Sequence, residues 1–192
     1  NGGFADRLHR ANLVPSTLYT GGGFHIAGQA TKTAEGIFLA AKAAKTAGFT
    51  GLVCNPDPIG REKTDAELET QAAAIAVLGR ELKGIGMALG LHHHTPELRS
   101  KGREFHYNFQ HTQADSVGFC YDVHWVYRGG IQPADALRDY GSRIVSWHLR
   151  QSRNQIWWED LATGDIDYSA VATYAKSHHL ATRLTVELAL EN

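Results

Sequence analysis

The stretch Val117-Gly-Phe-Cys-Tyr-Asp-Val-His-Trp125 decides the fold of this sequence. Its apolar and aromatic residues predict a short strand that is buried on both faces, as the strands of parallel sheets are. The run then ends in two polar side chains, Asp122 and His124. We therefore expect a buried parallel strand that delivers its last side chains into a cleft.

Three further apolar runs end in a side chain of the kind that binds metal ions. These runs, with the first such residue after each, are 87–91 with His92, 144–147 with His148, and 184–186 with Glu187. The first of them leads into three consecutive histidines, of eleven in the whole chain. The same pattern on four apolar runs indicates that the polar residues at their ends share one function.

Strand patterns and helix patterns alternate about six times along the chain, which is typical of right-handed βαβ units and a parallel sheet. A (β/α)8 barrel needs about 250 residues, and this chain has 192. We therefore predict an α/β fold, a (β/α)8 TIM barrel that is incomplete at both ends, within one domain over residues 1–192. It would lack one strand at the front and one strand-helix unit at the back, as part of a longer protein.

The periodicity also predicts individual elements. The expected strands cover residues 13–19, 51–54, 87–91, 117–122, 143–149 and 183–188. The expected helices cover residues 4–11, 34–48, 64–82, 107–112, 133–138 and 168–177, and 151–165 is expected to be a loop. Thr64 with Glu67 predicts a capping box, and Asp167 a simple N-cap.

Charge and composition exclude several function classes. There are 19 basic and 20 acidic residues, so no net field attracts nucleic acid or an anionic membrane. No apolar segment reaches the roughly 18 residues of a membrane span. Cys54 and Cys120 lie inside apolar runs and are expected to be buried free thiols. We expect a cytoplasmic protein with a small-molecule substrate, and a homo-oligomer is left open.

The strand ends predict a metal site. In an α/β barrel all carboxyl ends of the strands lie on one face, so His92, Asp122, His148 and Glu187 would converge. Each residue alone is more often structural, but together they favour ligation of a divalent ion such as Mn2+, Co2+, Zn2+, Mg2+ or Fe2+. A bound ion polarises a carbonyl and stabilises the enediolate formed when the neighbouring carbon loses a proton.

Proton abstraction also requires a base, and Glu187, Glu97 and His94 are the candidates. Other polar and aromatic residues near the strand ends are candidates for substrate binding. Arg150, or Arg153 a little further on, could bind a hydroxyl or phosphate group. Trp125 could stack on the apolar face of a sugar ring, as could Trp157 or Trp158, and each could equally be packing. His124 is a further candidate contact.

Five motifs in order resemble the xylose isomerase-like TIM-barrel superfamily, and within it the sugar phosphate isomerase/epimerase group, with inosose dehydratases and D-tagatose 3-epimerase as relatives. The motifs are Leu91-His-His-His-Thr-Pro-Glu97, Gly118-Phe-Cys-Tyr-Asp-Val-His-Trp-Val-Tyr-Arg-Gly-Gly130, Arg143-Ile-Val-Ser-Trp-His-Leu-Arg150, Thr163-Gly-Asp-Ile-Asp167 and Val186-Glu-Leu188. Each motif alone is weak, whereas their order and spacing are specific. The resemblance runs from about Leu13 to the last residue.

The resemblance implies a metal held by an acid on the fourth strand, an aspartate on the fifth, a histidine on the sixth and a glutamate on the seventh. Asp122, His148 and Glu187 match the last three. The fourth position falls on His92, where the epimerases of the family carry a glutamate that works as one of two bases. Glu97 could fold back and replace it, so the identity of the fourth ligand is left open. The family's HLKD motif is His148-Leu-Arg-Gln151 here.

The resemblance and the residues together lead to three hypotheses. The first is a metal-dependent sugar or keto-sugar isomerase/epimerase that removes a proton next to a carbonyl. The second uses the same metal site for elimination, as a dehydratase or lyase acting on an inosose or a 3-keto-glycoside. The third is a carbohydrate-binding barrel without catalysis. A phosphodiesterase of the endonuclease IV type would share the barrel, but the balanced charge argues against it.

Overall fold

The computed structural model describes residues 3–158, 160–181 and 183–187. Its strands are β1 Thr17–Gly22, β2 Gly51–Pro56, β3 Ala88–Leu91, β4 Gly118–Asp122, β5 Ile144–Leu149, β6 Gln151–Arg153, β7 Ile156–Trp158 and β8 Leu184–Val186. Six of them form a parallel sheet in the order β1-β2-β3-β4-β5-β8. The parallel α/β architecture predicted from the sequence is therefore confirmed.

Helices connect the parallel strands. They are α1 Phe4–Arg10, α2 Ala30–Thr46, α3 Asp65–Gly84, α4 Arg99–Gln110, α5 Val123–Arg128, α6 Pro133–Tyr140 and α7 Tyr168–Ser177, with 3-10 turns at Thr95–Leu98 and Gly141–Arg143. Because the strand order follows the chain order, each crossover brings the chain to the neighbouring position, and all carboxyl ends of these strands lie at one edge. Within the described ranges, no helix is long and apolar enough to cross a membrane.

Strand β4 is one of the two central strands of the sheet, and each of its five residues is buried. Phe119 and Tyr121 pack into the hydrophobic core, while Asp122 ends the strand. The Oδ1 atom of Asp122 accepts a hydrogen bond from the backbone N–H of Trp125 at 2.9 Å and so caps helix α5. The stretch that decides the fold thus also fixes the position of a carboxylate.

Several local predictions are confirmed. The side chain of Thr64 accepts a hydrogen bond from Glu67 N at 3.3 Å, and the Glu67 carboxylate accepts one from Thr64 N at 2.7 Å, which completes the capping box of α3. Asp167 caps α7 through hydrogen bonds from the next turn. Cys54 and Cys120 are free and buried.

Other boundaries differ from the prediction. The first strand was expected over 13–19, but β1 begins at Thr17 and extends to Gly22, and Val14 is 89% exposed. The helix expected over 107–112 is the longer α4, whose first turn contains three consecutive residues with positive φ, Ser100, Lys101 and Gly102. Such a turn has no clear signature in the sequence.

The greatest difference lies in residues 151–165, which were expected to form a loop without regular structure. Strands β6 and β7 instead form an antiparallel hairpin there, in which Gln151 pairs with Trp158 and Arg153 with Ile156. The last strand, expected over 183–188, is the shorter β8, and Leu188 lies outside the described residues. The parallel sheet of the described residues has six strands, with β1 and β8 at its edges.

Candidate metal centre

Four neighbouring strands of the sheet bring the predicted ligands to one place. His92 follows β3 and continues its ladder by donating from its backbone N to Cys54 O at 2.8 Å. Asp122 ends β4 and lies in register with His148 on β5. Glu187 follows β8 and donates its backbone N–H to Leu149 O at 3.2 Å. One ligand atom from each of the four side chains lies within 4.8 Å of those of the other three.

The distances inside the cluster suit a single cation. His92 Nε2 lies 3.2 Å from Asp122 Oδ2, and His148 Nδ1 lies 3.8 Å from the same oxygen. His148 Nδ1 is 2.9 Å from Glu187 Oε2. Ligands on opposite sides of a transition-metal ion are about 4 Å apart, twice the usual bond length. These separations do not exceed that span, so the mixed oxygen and nitrogen donors fit a single divalent ion.

The electrostatics of the cluster keep its two carboxylates ionised. Burial raises the pKa of Asp122, but the His92 hydrogen bond and the Arg150 guanidinium outweigh burial and hold that pKa well below its usual range. Burial also raises the pKa of Glu187, but the contacts with His148 and Arg150 outweigh burial and lower that pKa overall. Deprotonated carboxylates are the form that metal ligation needs.

The guanidinium of Arg150 lies among these carboxylates. Its Nη2 is 2.8 Å from Glu187 Oε2 and forms a hydrogen bond to Asp122 Oδ2. The guanidinium also stacks on Trp157, with its central carbon 3.5 Å from the ring centroid. The hydroxyl of Tyr168 donates to Arg150 O at 2.7 Å and accepts from Arg150 N at 3.0 Å. Arg150, predicted to bind substrate, thus contacts two of the predicted metal ligands.

The other residues predicted to bind substrate have different surroundings. His124 is buried beside Trp125, with ring centroids 5.1 Å apart, and Trp125 also lies 5.5 Å from the ring of His94. Arg153 is on the hairpin, where it donates to Asp160 at 3.0 Å and lies over the ring of Trp158. The structure therefore brings His124 and Trp125 close to the strand ends. The side chain of Arg153 instead contacts Asp160 and Trp158, within its own segment 151–165.

The candidate bases differ in burial. Glu97 is fully buried, and its Oε2 accepts a hydrogen bond from His94 N at 2.7 Å. Burial raises the pKa of Glu97 to about 7, and nearby Glu104 adds to the rise. His94 is partly exposed, and burial followed by the neighbouring His92 lowers its pKa to about 4. His94 is therefore a neutral imidazole at neutral pH. The cluster of four ligand-type residues does not include Glu97.

Replacing Glu97 with glutamine tests this burial through the pH dependence of stability. The folded protein holds the Glu97 proton up to about pH 7, whereas the unfolded chain releases it near its usual value of 4.5. The wild type therefore loses stability as the pH rises between these values, and the glutamine variant does not. Urea unfolding at about pH 8 should show the variant more stable by on the order of 2 kcal/mol. The difference should shrink toward about pH 4, and a gap independent of pH would contradict the prediction.

Tyr19 lies beside the cluster and is not one of the residues predicted from the sequence. Its hydroxyl donates to Asn55 Oδ1 at 2.7 Å and lies 3.5 Å from His92 Nδ1, while its ring lies 6.1 Å from that of His148. Burial and the carboxylate of Glu187 raise the pKa of Tyr19 above its usual range, so the hydroxyl keeps its proton. Its position at the end of the first predicted strand is the signal in the sequence that could have placed it near the cluster. Tyrosine is not one of the residue types, His, Asp and Glu, that define the pattern at the other strand ends.

Two cavities lie away from this cluster. One, of about 520 Å³, lies at the opposite ends of the strands beside Thr50, Met87 and Gly118. The other, of about 620 Å³, is a mainly apolar space between α1 and α2 that includes Phe4 and Phe49. Neither cavity is lined by a member of the cluster.

Comparison of the sequence with protein families and with curated proteins gives no match. Solved structures do match. A sugar phosphate isomerase/epimerase from Parabacteroides distasonis has a TM-score of 0.82 at 18% identity, over 98% of this chain and 68% of its own. An IOLI protein with a binding zinc atom has a TM-score of 0.75 at 14% identity, over 97% of this chain and 73% of its own.

An AP endonuclease of family 2 from Brucella melitensis also matches, with a TM-score of 0.74 at 11% identity, over 94% of this chain and 74% of its own. The same fold thus serves different chemistries, and identities at this level show the fold alone. The structural neighbours of this chain include sugar phosphate isomerase/epimerase and xylose isomerase domain proteins, and it shares their α/β fold.

Proposed function

We propose that this protein is a metal-dependent sugar or keto-sugar isomerase/epimerase that works by proton abstraction next to a carbonyl. The observation that carries the proposal is the group of four ligand atoms, from His92, Asp122, His148 and Glu187, within 4.8 Å of one another. The neighbours named as sugar phosphate isomerase/epimerases support the substrate class. The balanced charge of the chain disfavours a nucleic-acid substrate, although an AP endonuclease shares the fold.

The four side chains would hold a divalent ion such as Mn2+, Co2+, Zn2+ or Mg2+, and the zinc of the IOLI neighbour supports zinc among these. When bound, the ion would polarise the substrate carbonyl and stabilise negative charge on the neighbouring oxygen.

We assign the proton transfers to two residues of this chain. Glu187 is the proposed base, because its side chain is 37% exposed and its lowered pKa keeps it ionised. His94 is the proposed second proton-exchanging group, since a neutral imidazole can accept a proton and then return it. Glu97 would act indirectly, by holding the backbone of His94.

Four residues are proposed to orient the substrate. Trp125 offers an aromatic face near His94, and His124 lies directly beside it. Arg150 and Arg153 would contact hydroxyl or phosphate groups, Arg150 from within the cluster and Arg153 from the hairpin. A small sugar or cyclitol is the class of substrate that such groups would bind.

Elimination remains the second candidate. His92 follows β3 where the resemblance implies a glutamate, so the described strand ends of the cluster offer one glutamate rather than two. A single carboxylate base suits elimination, because the proton that Glu187 takes from carbon can be passed to the leaving oxygen, which departs as water or an alcohol; this is the chemistry of a dehydratase or lyase acting on an inosose or 3-keto-glycoside.

We also propose that the six parallel strands are part of an eight-stranded (β/α)8 barrel in a single xylose isomerase-like domain. Two further strands would pair with the edge strands β1 and β8 and close the sheet. The neighbours, which are longer than this chain, support this view.

Metal analysis tests the site. The wild type, His148→Ala and His178→Ala would each be loaded with Zn2+, Co2+ or Mn2+, dialysed and analysed for bound metal. We expect about one ion per chain in the wild type and in His178→Ala, because His178 lies on the exposed end of α7, and a large loss in His148→Ala. Equal metal content in all three proteins would refute the site.

Product analysis tests the reaction class. Loaded protein would be incubated in deuterated water with keto-hexoses, 2-keto-inositol and 3-keto-glucosides. Isomerisation or epimerisation incorporates deuterium at carbon and conserves the atoms of the substrate, whereas elimination yields an unsaturated product. Absence of both exchange and product across the panel would leave the carbohydrate-binding alternative.

A further inference from the structure

The feature that the proposed function leaves unexplained is the position of Arg150. Its side chain is 1% exposed, so it is a buried cation and not a mobile surface group. A guanidinium is a planar, delocalised cation that pairs readily with carboxylates. A buried guanidinium and a metal ion at the predicted site would both be positively charged, so each would disfavour the other.

The guanidinium uses the same oxygen atoms that would bind the ion. Arg150 Nη2 contacts Asp122 Oδ2, which also lies 3.2 Å from His92 Nε2 and 3.8 Å from His148 Nδ1. The same nitrogen lies 2.8 Å from Glu187 Oε2. A metal ion bound to these oxygens would stand about 2 Å from each, within the space that the Nη2 hydrogen atoms need. Both cations cannot hold the two oxygens in this geometry.

Charge leads to the same conclusion. The two carboxylates carry one negative charge each, and a divalent ion alone neutralises them. If Arg150 stayed in place, the buried site would carry a net positive charge, which is unfavourable where water is excluded. The guanidinium must therefore move away from the carboxylates when an ion binds.

The arrangement around Arg150 also holds the side chain in place. Trp157 and Trp125 lie over the guanidinium, with 3.5 and 5.5 Å from its central carbon to the ring centroids. The Tyr168 hydroxyl bonds both the N–H and the C=O of Arg150, so an ion would have to displace the side chain and not the backbone.

We propose that Arg150 and a divalent metal ion compete for the carboxylate oxygens of Asp122 and Glu187, an inference that rests on the metal site of the proposed function. The site then exchanges between two states, one in which the guanidinium holds both carboxylates and one in which the ion does. Arg150 sets how tightly the ion is held, because each binding event has to displace the side chain from Trp157.

Metal affinity measured by titration calorimetry tests the competition, with Zn2+, Co2+ and Mn2+ as the probes. Arg150→Gln removes the competing charge and should bind each ion at least about tenfold more tightly than the wild type. Arg138→Gln is the matched control. Arg138 also forms ion pairs with two carboxylates, those of Asp135 and Asp139, but on α6 and outside the cluster, so its variant should bind as the wild type does.

Tryptophan fluorescence supplies a second readout that does not depend on activity. Adding an ion to the wild type should change the emission, because Trp157 loses its stacked guanidinium. The change should largely disappear in Trp157→Phe and in Arg150→Gln. An equal change in Arg150→Gln and the wild type would contradict the displacement.

The outcomes separate this inference from the proposed function. If Arg150→Gln binds the ions as weakly as the wild type or more weakly, the competition is refuted while the metal site stands. If neither protein binds any of the ions, the metal site itself is refuted, and the competition with it. Should Arg150→Gln fail to fold, Arg150→Lys takes its place. The lysine keeps the charge but loses the planar fork, and its metal affinity should lie above that of the wild type; an unchanged affinity would overturn the proposal.

Discussion

Replacing Asp122 with alanine is expected to lower the free energy of unfolding by about 3–5 kcal/mol, because the variant leaves the buried guanidinium of Arg150 without its main partner. Asp122 is itself fully buried and also accepts the capping hydrogen bond from Trp125 N. Loss of the cap alone accounts for about 1 kcal/mol, and the rest comes from the uncompensated charge. Urea unfolding of the metal-free proteins measures the change.

Two further variants separate these contributions. Asp167→Ala removes an N-cap from α7 that is not part of the cluster, and it should cost only about 1 kcal/mol. The double variant Asp122→Ala with Arg150→Met removes both charges and should recover a large part of the loss. If Asp122→Ala costs no more than Asp167→Ala, the carboxylate does not hold the guanidinium as the structure indicates.

Replacing Glu187 with glutamine should slow proton exchange at the substrate carbon by about 10²–10⁴-fold, the usual contribution of a general base. Glutamine keeps the size and shape of the side chain but cannot accept the proton. Because the Glu187 side chain is 37% exposed at the end of β8, the fold should change little. Exchange of the substrate hydrogen in deuterated water, at saturating metal, measures the effect.

Glu97→Gln is the matched control for this assignment. Glu97 is fully buried and bonded to the backbone of His94, so its variant should keep most of the exchange rate of the wild type. A large loss in Glu97→Gln together with an unchanged rate in Glu187→Gln would reverse the assignment of the base.

The sequence was sufficient to predict the parallel sheet and the cluster at its strand ends. Apolar runs of this kind form buried strands, and parallel strands place their carboxyl ends at one edge, so the convergence of His92, Asp122 and His148 follows from topology alone. No side-chain conformation had to be known. Edge strand β8 was predicted in the same way, with only its boundaries in error.

What the sequence could not predict depends on local geometry. The hairpin turns at Asn154 and Gln155, both of which have positive φ, as a two-residue type I′ turn requires. The usual sequence signal for such a turn is a glycine at the second position. Gln155 occupies that position here, so the sequence lacks the signal. Without knowledge of the hairpin, the position of Trp157 over Arg150 cannot be predicted from the sequence. The contact of that guanidinium with the two carboxylates cannot be predicted either.

The hydroxyl of Tyr168 forms hydrogen bonds with both backbone polar groups of Arg150, the N–H and the C=O. Displacement by an ion would then require the buried side chain to turn away from Trp157 and Trp125. Ion uptake would therefore be paced by the turning of one buried side chain and not by the opening of a loop.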